Sequence, residues 1–446
     1  MAVAVQDLTP EKSALRRLWE RVQGPFLHVP MLSWLVGALV AVLIELSVGN
    51  NLARLIGLPK APVLFGVSLI LKEPVLVPAA IVYIVLVYLA PVALVARGTA
   101  GWANRTVAKL LDTIPAWVVI LIHLLLLYAV LHFWAEVNTY RLLVLRLTMI
   151  AIVLTVSLNV VNGYMGEFSC SHPGFMALGA YGASVFSLLF FVDDRIFGAP
   201  ILPPALGPFL FPLGLIAGGL LASVGALFVA IPSFRTRGDY LAIISLAFTF
   251  IIKSVIENLE VVGGPRGLGG QPDWATLPVV FAWTVLAVWI INNFVRSTLG
   301  RALNAVRDDE TAASAMTVNT RRTKMTAFLF AAFWAGIGGG LLAHVLKYVN
   351  PGSFGLQALA EVLAMVYFGG LNSVVGSMVG AVGFNLLSEA LRPLEIFKWI
   401  IIPVLLILVM IFRPTGLIAF REFDVLKIIR PKHTAEGDTD HALTGS

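Results

Sequence analysis

Charged side chains are scarce in this sequence. Asp, Glu, Lys and Arg account for 13% of its 446 residues, and 59% of the residues are hydrophobic. A soluble domain carries about 25% charged residues, so this composition excludes an ordinary soluble protein and indicates a membrane protein. The formal net charge of +6 does not indicate nucleic-acid binding, because the basic residues lie in loops that flank apolar segments, as membrane topology requires.

Cysteine is almost absent, and the common catalytic motifs are missing. Cys170 is the single cysteine, which excludes an internal disulfide. No GxxxxGK[ST] loop and no HExxH pair occur, so the chain shows no means of binding ATP itself and no metalloprotease site. Glu167, Cys170 and His172 lie close together in the sequence, but a structural zinc site needs four ligands. We therefore predict no metal and no cofactor, and a membrane enzyme is the least favoured class of function.

Apolar segments of membrane-spanning length recur along the whole chain. A helix needs about 20 apolar residues to cross about 30 Å of hydrocarbon. Twelve segments approach this length and predict an all-α polytopic membrane protein with about 12 transmembrane helices. The tenth segment is short enough to be re-entrant. The segments are residues 31–48, 75–96, 115–134, 142–161, 174–192, 209–231, 240–257, 275–295, 325–346, 356–371, 373–391 and 397–412.

The distribution of basic residues predicts the orientation of these segments. If the N-terminus is inside, the inside loops hold 20 Lys and Arg residues and the outside loops hold 10, with Lys253 inside a span. Cytoplasmic loops carry an excess of Lys and Arg. We therefore predict that both termini are cytoplasmic.

The amino-acid composition of the apolar segments changes near residue 140. The first three segments are rich in Leu and Val, whereas glycine becomes frequent after Leu142, and small residues allow transmembrane helices to pack closely. We predict a cytoplasmic N-terminal segment with an interfacial helix (1–30), accessory helices (31–140), a transport core (141–420) and a cytoplasmic tail (421–446).

Two smaller features of the core are a glycine-rich segment between two predicted spans and a pair of charged residues within one span. Residues 262–270 contain five glycines, too many for a helix, and predict a gate, a docking surface for an external partner or a plain flexible loop. Lys253 and Glu257 are one helical turn apart, so we expect them to form an ion pair.

The longest polar interruption between two apolar segments covers residues 300–324, here called loop 300–324. On a helical wheel its apolar side chains, such as Val306, gather opposite polar ones, such as Arg307, which is typical of an amphipathic helix. Asp309 falls inside the apolar arc and Glu310 lies at its edge. These carboxylates predict docking into a protein groove that supplies Arg or Lys. A surface linker helix is the alternative.

Two glycine-rich breaks interrupt the apolar segments. The first break covers residues 159–174 and the second break covers residues 368–376. Unpaired backbone groups are tolerated in a membrane where they line a wet cavity, and many transporters hold polar solutes between half-helix ends. The breaks therefore predict a substrate site, and a tight turn at the cytoplasmic surface is the alternative. The predicted substrate-binding residues are Asn159, Asn162, Gly163, Ser169, Asn372 and Ser373.

A set of motifs follows in order over about residues 150–420. They are LNVVNGYMGEFSCSHPGFMALGAYGAS (158–184), RTRGDYLAIISLAF (235–248), GGPRGLGG (263–270), GRALNAVRDDETAASAM (300–316), FGGLNSVVGSMVGA (368–381) and RPTGL (413–417). Together they resemble the permease subunits of ABC importers for branched-chain amino acids, a family that includes importers of urea and short amides.

The resemblance implies a permease-like core in the cytoplasmic membrane of a bacterium. The implied partners are a homologous permease, two cytoplasmic ATPase subunits, an extracytoplasmic solute-binding protein and a small-molecule solute. It also implies that loop 300–324 couples the permease to its ATPase, with a Glu-Ala-Ala core at Glu310, Ala312 and Ala313. The predicted coupling residues are Arg307, Asp309, Glu310, Ala312 and Ala313.

The sequence departs from the family pattern at two places. Thr317 stands where the family usually has Gly, and Cys170 and Ser171 stand where it usually has Leu and Gly. The second departure lies in the predicted substrate region, so urea or short amides are alternatives to branched-chain amino acids. An ion-coupled secondary transporter is the runner-up class, but it would need carboxylate or Lys relays near the midplane, and these spans offer few.

Overall fold

The computed structural model describes residues 26, 28–66, 73–194, 196–234, 240–413, 415–420 and 423–431. The predicted interfacial helix near residues 9–22, the first residues of the motif at 235–248 and the end of the predicted tail lie outside this range. Two compact units result, and we describe each by itself. The first lies within Met1–Phe65, Val75–Val137 and Asp424–Ser446, and the second within Gly66–Pro74 and Asn138–Phe423.

The first unit is built from long apolar helices. A π-helical turn, Val85–Leu89, joins its second and third helices, and Val107, Val119 and Ile429 pack together in its core. Its helices are α1 (Met31–Leu55), α2 (Val77–Ile84), α3 (Ala90–Thr113), α4 (Ala116–Glu136) and a short C-terminal helix at Val425–Ile429.

The second unit holds the remaining helices and a short antiparallel β-ladder. They are α5 (Thr139–Asn159), α6 (His172–Phe191), α7 (Gly207–Ser233), α8 (Tyr240–Asn258), α9 (Leu277–Arg296), α10 (Thr298–Asp308), α11 (Glu310–Ala315), α12 (Thr320–Leu346), α13 (Leu356–Gly369), α14 (Val374–Ala390) and α15 (Lys398–Phe412), with β1 (Leu268–Gly269) and β2 (Tyr348–Val349). Close approach of backbones holds the centre together, since a Cβ at Gly179 of α6 would overlap the backbone of Gly336 in α12.

Helices α5 and α14 are antiparallel and define the two ends of this unit. At one end the hydroxyl of Tyr140 donates to the Glu389 carboxylate, and at the other the Asn159 amide donates to the Ser373 carbonyl. Helix α14 therefore covers nearly the full length of α5, about 25 Å at 1.5 Å per residue. We call the end with Asn159 the loop end and the end with Tyr140 the opposite end.

The structure confirms the prediction of an all-α polytopic membrane protein. Nine helices of the described residues are long and apolar enough to cross a membrane, and α13, α14 and α15 are shorter apolar helices. Each of the twelve predicted segments coincides with one of these helices. The predicted Lys253–Glu257 ion pair is also confirmed, with 3.7 Å between the ammonium nitrogen and a carboxylate oxygen.

The glycine-rich residues 262–270 are ordered and contain regular structure. Leu268 and Gly269 pair with Val349 and Tyr348, and the Tyr348 hydroxyl donates to the Arg266 carbonyl. Backbone pairing with β2 gives part of this segment regular structure at the opposite end, and its role as a gate or a docking surface stays a prediction.

Candidate functional site

The first break is a buried turn between α5 and α6. Helix α5 runs into a π-helical turn, Val160–Met165, and Gly166 then adopts a left-handed conformation. The Oδ1 atom of Asn162 accepts a hydrogen bond from the backbone N–H of Ser169 at 3.2 Å. The Ser169 hydroxyl lies 2.9 Å from that of Ser171. These bonds satisfy polar groups that a non-helical segment would otherwise leave unpaired.

The second break is a four-residue turn between α13 and α14. Asn372 has a positive φ of 55°, which asparagine tolerates better than most residues. The Ser373 hydroxyl caps α14 by accepting from the Gly376 N–H at 3.0 Å. The RPTGL motif supports the start of this break, because the Leu417 N–H donates to the Phe368 carbonyl at 3.1 Å, and the next residue, Ile418, donates to the Gly369 carbonyl at 2.8 Å.

Asn159 joins the two breaks. Its Nδ2 atom lies 3.0 Å from the Ser373 carbonyl and 2.7 Å from the Ser377 hydroxyl. Its Oδ1 atom accepts from the Asn372 N–H at 3.1 Å. Both halves of this buried amide are therefore used by the chain itself. Gly163 is needed beside it, because a Cβ there would overlap the Asn159 side chain.

Loop 300–324 contains two helices, so the prediction of one continuous amphipathic helix is wrong. Helix α10 ends at Asp308, and Asp309 is extended with φ −157° and ψ 106°. Its carboxylate accepts from the N–H groups of Thr311 and Ala312 at 2.8 and 2.9 Å. Asp309 is thus the N-cap of α11, a position that favours Asp. The N-cap role explains why this carboxylate falls on the predicted apolar arc, and it requires no basic residue from a partner protein.

Glu310 also has a partner within the chain. Its Oε2 atom lies 2.8 Å from the Nζ atom of Lys324, and the same Nζ lies 2.6 Å from the Oε1 atom of Glu167. The Lys324 side chain is 11% exposed, so this ammonium is held between two carboxylates rather than in water. Charge-assisted bonds of this kind are short and strong. We call Lys324, Glu167 and Glu310 the lysine fork; it connects loop 300–324 to the first break.

Arg307 makes a second connection between the same elements. Sequence analysis placed it on the polar side of a helix, but its side chain is only 22% exposed. One guanidinium nitrogen lies 3.5 Å from the Gly163 carbonyl, and two others contact the Asp308 carboxylate. The guanidinium also lies over the Phe420 ring, 5.5 Å from its centroid, where a cation–π attraction adds to the contact.

The two faces of α10 and α11 differ in exposure. Leu303, Val306 and Ala313 are buried, so they anchor the helices to the unit. Ala312 is exposed, and Met316 is 77% exposed. An exposed apolar side chain of this size beside exposed small residues is a feature of surfaces that bind another protein.

The structure brings all six predicted substrate-binding residues together at the loop end. They belong to one hydrogen-bonded neighbourhood that includes both breaks and lies beside loop 300–324. A cavity opens at the loop end, and of the six predicted residues only Asn372 lines it; Asn162 and Ser169 lie in the buried turn. Their role as substrate ligands stays a prediction. Sequence analysis missed Lys324 and Glu167, whose ion pair spans 157 residues and has no local sequence signal.

Cys170 sits within the first break and is shielded from reagents. It is buried, and burial raises the pKa of its thiol, although the Ser245 hydroxyl opposes this in part. The neighbouring His172 contacts the Ser157 hydroxyl at 3.2 Å. Among the described residues, no group of three His, Cys, Asp or Glu side chains could hold a metal ion.

Comparison with known proteins identifies relatives of the second unit. Residues 140–412 match the family described as branched-chain amino acid transport system, permease component. The high-affinity branched-chain amino acid transport permease LivM of Escherichia coli K12 is 33% identical over 307 residues, which are 61% of this chain and 68% of the relative. LivH of the same organism is 31% identical over 150 residues, 33% of this chain and 48% of the relative.

A further relative is more distant. BraD of Pseudomonas aeruginosa, also named as a branched-chain amino acid transport permease, is 28% identical over 155 residues, 33% of this chain and 48% of the relative. No solved structure matches this chain.

Proposed function

This chain belongs to the family of permease components of branched-chain amino acid transport systems, and on that premise we propose that it carries branched-chain amino acids across the cytoplasmic membrane as one permease subunit of an ATP-driven importer. A homologous permease completes the pore, and two cytoplasmic ATPase subunits and an extracytoplasmic solute-binding protein complete the importer. Matches to both LivM and LivH support a pair of related permeases.

The lysine fork is the observation that carries this proposal. A subunit driven by a separate ATPase must transmit motion from a contact surface to its transport path. Helix α11 and its C-cap expose Ala312 and Met316, while Lys324 connects Glu310 of α11 to Glu167 of the first break. In this proposal, a displacement of α11 changes the ion pair between Glu310 and Lys324. The first break moves in turn, because Lys324 also pairs with Glu167.

The connection continues into the second break. Arg307 holds the Gly163 carbonyl, and Asn159 joins the first break to Ser373. Energetic coupling between distant sites is carried by packed and hydrogen-bonded elements that can adopt two arrangements. In this proposal the loop end is cytoplasmic, and the six predicted residues at the breaks form or support the inner part of the solute path.

Uptake of labelled L-leucine into cells that express the whole importer tests the transport class. We expect uptake that is inhibited by vanadate and unaffected by an uncoupler, and competition by L-valine but not by urea or acetamide. Uptake abolished by the uncoupler alone would instead show an ion-coupled transporter. Competition by urea or acetamide but not by L-valine would assign the alternative solutes.

Co-purification of the ATPase subunits tests the contact surface. Glu310→Lys would not isolate the contact surface, because that change also breaks the internal bond to Lys324. Met316→Glu places a charge on the exposed face without touching the fork, and we expect it to reduce co-purified ATPase severalfold. Leu356→Glu is the matched control, because Leu356 is 61% exposed at the opposite end. Equal ATPase recovery from both variants would contradict the proposed surface.

A further inference from the structure

A cavity of about 370 Å³ opens at the loop end of the second unit. Ligand pockets range from about 300 to 1,000 Å³, so this cavity has room for a lipid headgroup or a small anion. Helices α9 and α10, both breaks and the residues after α15 contribute to it. Its wall includes Arg296 of α9, Arg301 and Asn304 of α10, Asn372 of the second break and Phe420.

Two guanidinium groups at this cavity have no carboxylate partner. Among the residues that the structure describes, neither Arg296 nor Arg301 forms an ion pair, and Arg296 contacts the Phe423 carbonyl at 3.5 Å. Arg307, which lies on the same helix as Arg301, is by contrast paired with Asp308. Two like charges beside one cavity repel each other, and an anion between them replaces this repulsion with charge-assisted bonds.

The side chains of the cavity offer nothing that would hold a cation. No acidic residue is among the described residues that line it. The Oδ1 atoms of Asn292, Asn304 and Asn372 are buried, so these side chains present no acceptor oxygen to a ligand in the cavity. An ammonium group or a metal ion would therefore find neither a carboxylate nor an amide oxygen from these side chains. The wall is suited to an anion.

The cavity lies at the depth of lipid headgroups. Arg296 is the last residue of α9, a helix that is long and apolar enough to cross a membrane, so its guanidinium stands where the hydrocarbon ends. Phe420 lines the same cavity and is 60% exposed, which provides an apolar surface beside the arginines. Basic pockets at this depth between transmembrane helices bind the headgroups of anionic lipids.

We infer that this cavity binds the phosphate group of an anionic ligand, with Arg296 and Arg301 as its two cationic contacts. The planar guanidinium matches the geometry of a phosphate. Two sources supply this group at a membrane surface, namely the headgroup of an anionic phospholipid such as phosphatidylglycerol and free inorganic phosphate. The inference goes beyond the proposed transport role, because binding at this site requires neither ATP nor the other subunits.

The charge of the wall also predicts which lipids the site disfavours. Phosphatidylcholine and phosphatidylethanolamine carry the same phosphate as phosphatidylglycerol, but each adds a cationic group. That second group meets two guanidinium charges and no carboxylate in the cavity, so it is repelled. We therefore expect selection for a headgroup with a net negative charge.

Two measurements on the purified full chain separate the two sources. For the lipid, the chain is reconstituted in vesicles of phosphatidylcholine, phosphatidylethanolamine and phosphatidylglycerol and extracted into mild detergent, and mass spectrometry measures the lipid that co-purifies. For free phosphate, calorimetry measures the binding of inorganic phosphate to the chain in nanodiscs of phosphatidylcholine alone.

The variants change exposed arginines at the loop end. Arg296→Gln and Arg301→Gln each remove one charge from the cavity. Arg321→Gln is the matched control, because Arg321 is exposed at the same end and does not line the cavity. Thermal unfolding without added lipid or phosphate should give the wild-type midpoint for all three, since none of these side chains is buried.

If the source is lipid, the wild-type chain and the control retain phosphatidylglycerol in preference to the other two lipids, and each cavity variant retains about fivefold less. If the source is free phosphate, the wild-type chain and the control bind it in phosphatidylcholine nanodiscs, and each cavity variant binds it about fivefold more weakly. Either result supports the site.

Three results would overturn the inference. Equal retention of phosphatidylglycerol by the cavity variants and the control would show a diffuse attraction to a basic surface. Binding of neither phosphatidylglycerol nor inorganic phosphate to the wild-type chain would show that the cavity holds no phosphate. Loss of ATPase co-purification from cavity variants, in a chain that binds neither probe, would assign the two arginines to a contact with the ATPase instead.

Discussion

The side-chain amide of Asn159 donates to the backbone carbonyl of Ser373 over 3.0 Å, and this bond ties the end of α5 to the start of α14. The two residues are 214 positions apart in the sequence. Through this bond the two glycine-rich breaks form a single structural element at the loop end. The element lies beside loop 300–324 and is connected to it by the lysine fork and Arg307.

The first prediction concerns the contribution of the Asn159 hydrogen bonds to stability. Asn159→Leu removes every side-chain bond of Asn159 and deprives the Asn372 N–H and the Gly370 carbonyl of this partner, whereas the Ser373 carbonyl and the Ser377 hydroxyl still bond to each other. Each group that loses its partner costs about 1–3 kcal/mol, so we expect the free energy of unfolding to fall by about 2–4 kcal/mol. The measurement is unfolding of the purified chain in detergent.

Asn385→Leu is the control for this prediction. The Asn385 amide donates to the Ala381 carbonyl within α14 at 3.0 Å, so its loss affects one local bond and costs about 1 kcal/mol or less. Equal destabilisation by the two substitutions would show that Asn159 does not join the breaks.

The second prediction concerns Thr317, where the family usually has Gly. Thr317 follows α11 with a left-handed φ of 67°, and the Val318 N–H donates to the Ala313 carbonyl at 3.1 Å, as in a helix-ending motif that favours Gly. A β-branched residue in this conformation is strained by about 1–2 kcal/mol. Because Gly also loses more entropy on folding, we expect Thr317→Gly to stabilise the chain by about 0.5–1 kcal/mol.

Thr311→Gly, at a nearby position, should destabilise the chain rather than stabilise it. Thr311 lies inside α11, where Gly is less favourable than Thr by roughly 0.3–0.5 kcal/mol. Thermal unfolding of both variants in one detergent checks the pair. A shift of both midpoints in the same direction would be inconsistent with strain at Thr317.

The third prediction concerns membrane orientation. Ser314→Cys places a thiol in α11 at the loop end, and Ser353→Cys places one at the opposite end; both positions are exposed. We expect an impermeant maleimide to label intact cells at position 353 and not at position 314. Gly267 would be a poor choice, because its φ is +78° and a Cβ there would overlap the Val349 carbonyl.

The native Cys170 does not disturb this labelling experiment. Maleimides react with the thiolate, and burial, which raises the pKa of the Cys170 thiol, lowers its thiolate fraction. Its labelling in permeabilised cells should begin only at a higher pH than that of Ser314→Cys. Labelling of position 314 from outside intact cells would reverse the proposed orientation.

Sequence alone predicted the helices well but predicted the contacts between them poorly. The apolar segments set the spans because length and hydrophobicity are local properties, and Lys253 and Glu257 could be paired because one helical turn separates them. Asp309 was misread because a wheel drawn through one continuous helix cannot show an N-cap that divides it. The pairing of Lys324 with Glu167 depends on which helices pack together, and no local pattern shows that.

The central claim is that Lys324 transmits motion from the ATPase-facing loop to the first break through Glu167. Glu167→Gln removes one charge of the lysine fork and leaves the exposed face of α11 unchanged. Coupling free energies between sites of about 1–3 kcal/mol correspond to effects of about 5- to 150-fold. Glu257→Gln is the matched control. It removes a carboxylate that pairs with Lys253 in α8, at the opposite end of the second unit.

The decisive measurement is ATP hydrolysis by the reconstituted importer, with and without L-leucine and its binding protein, together with L-leucine uptake. For Glu167→Gln we expect wild-type recovery of ATPase subunits and wild-type basal hydrolysis, but about tenfold less substrate-stimulated hydrolysis and uptake. Glu257→Gln and Lys324→Arg should retain both. Full stimulation and full uptake by Glu167→Gln would contradict the account.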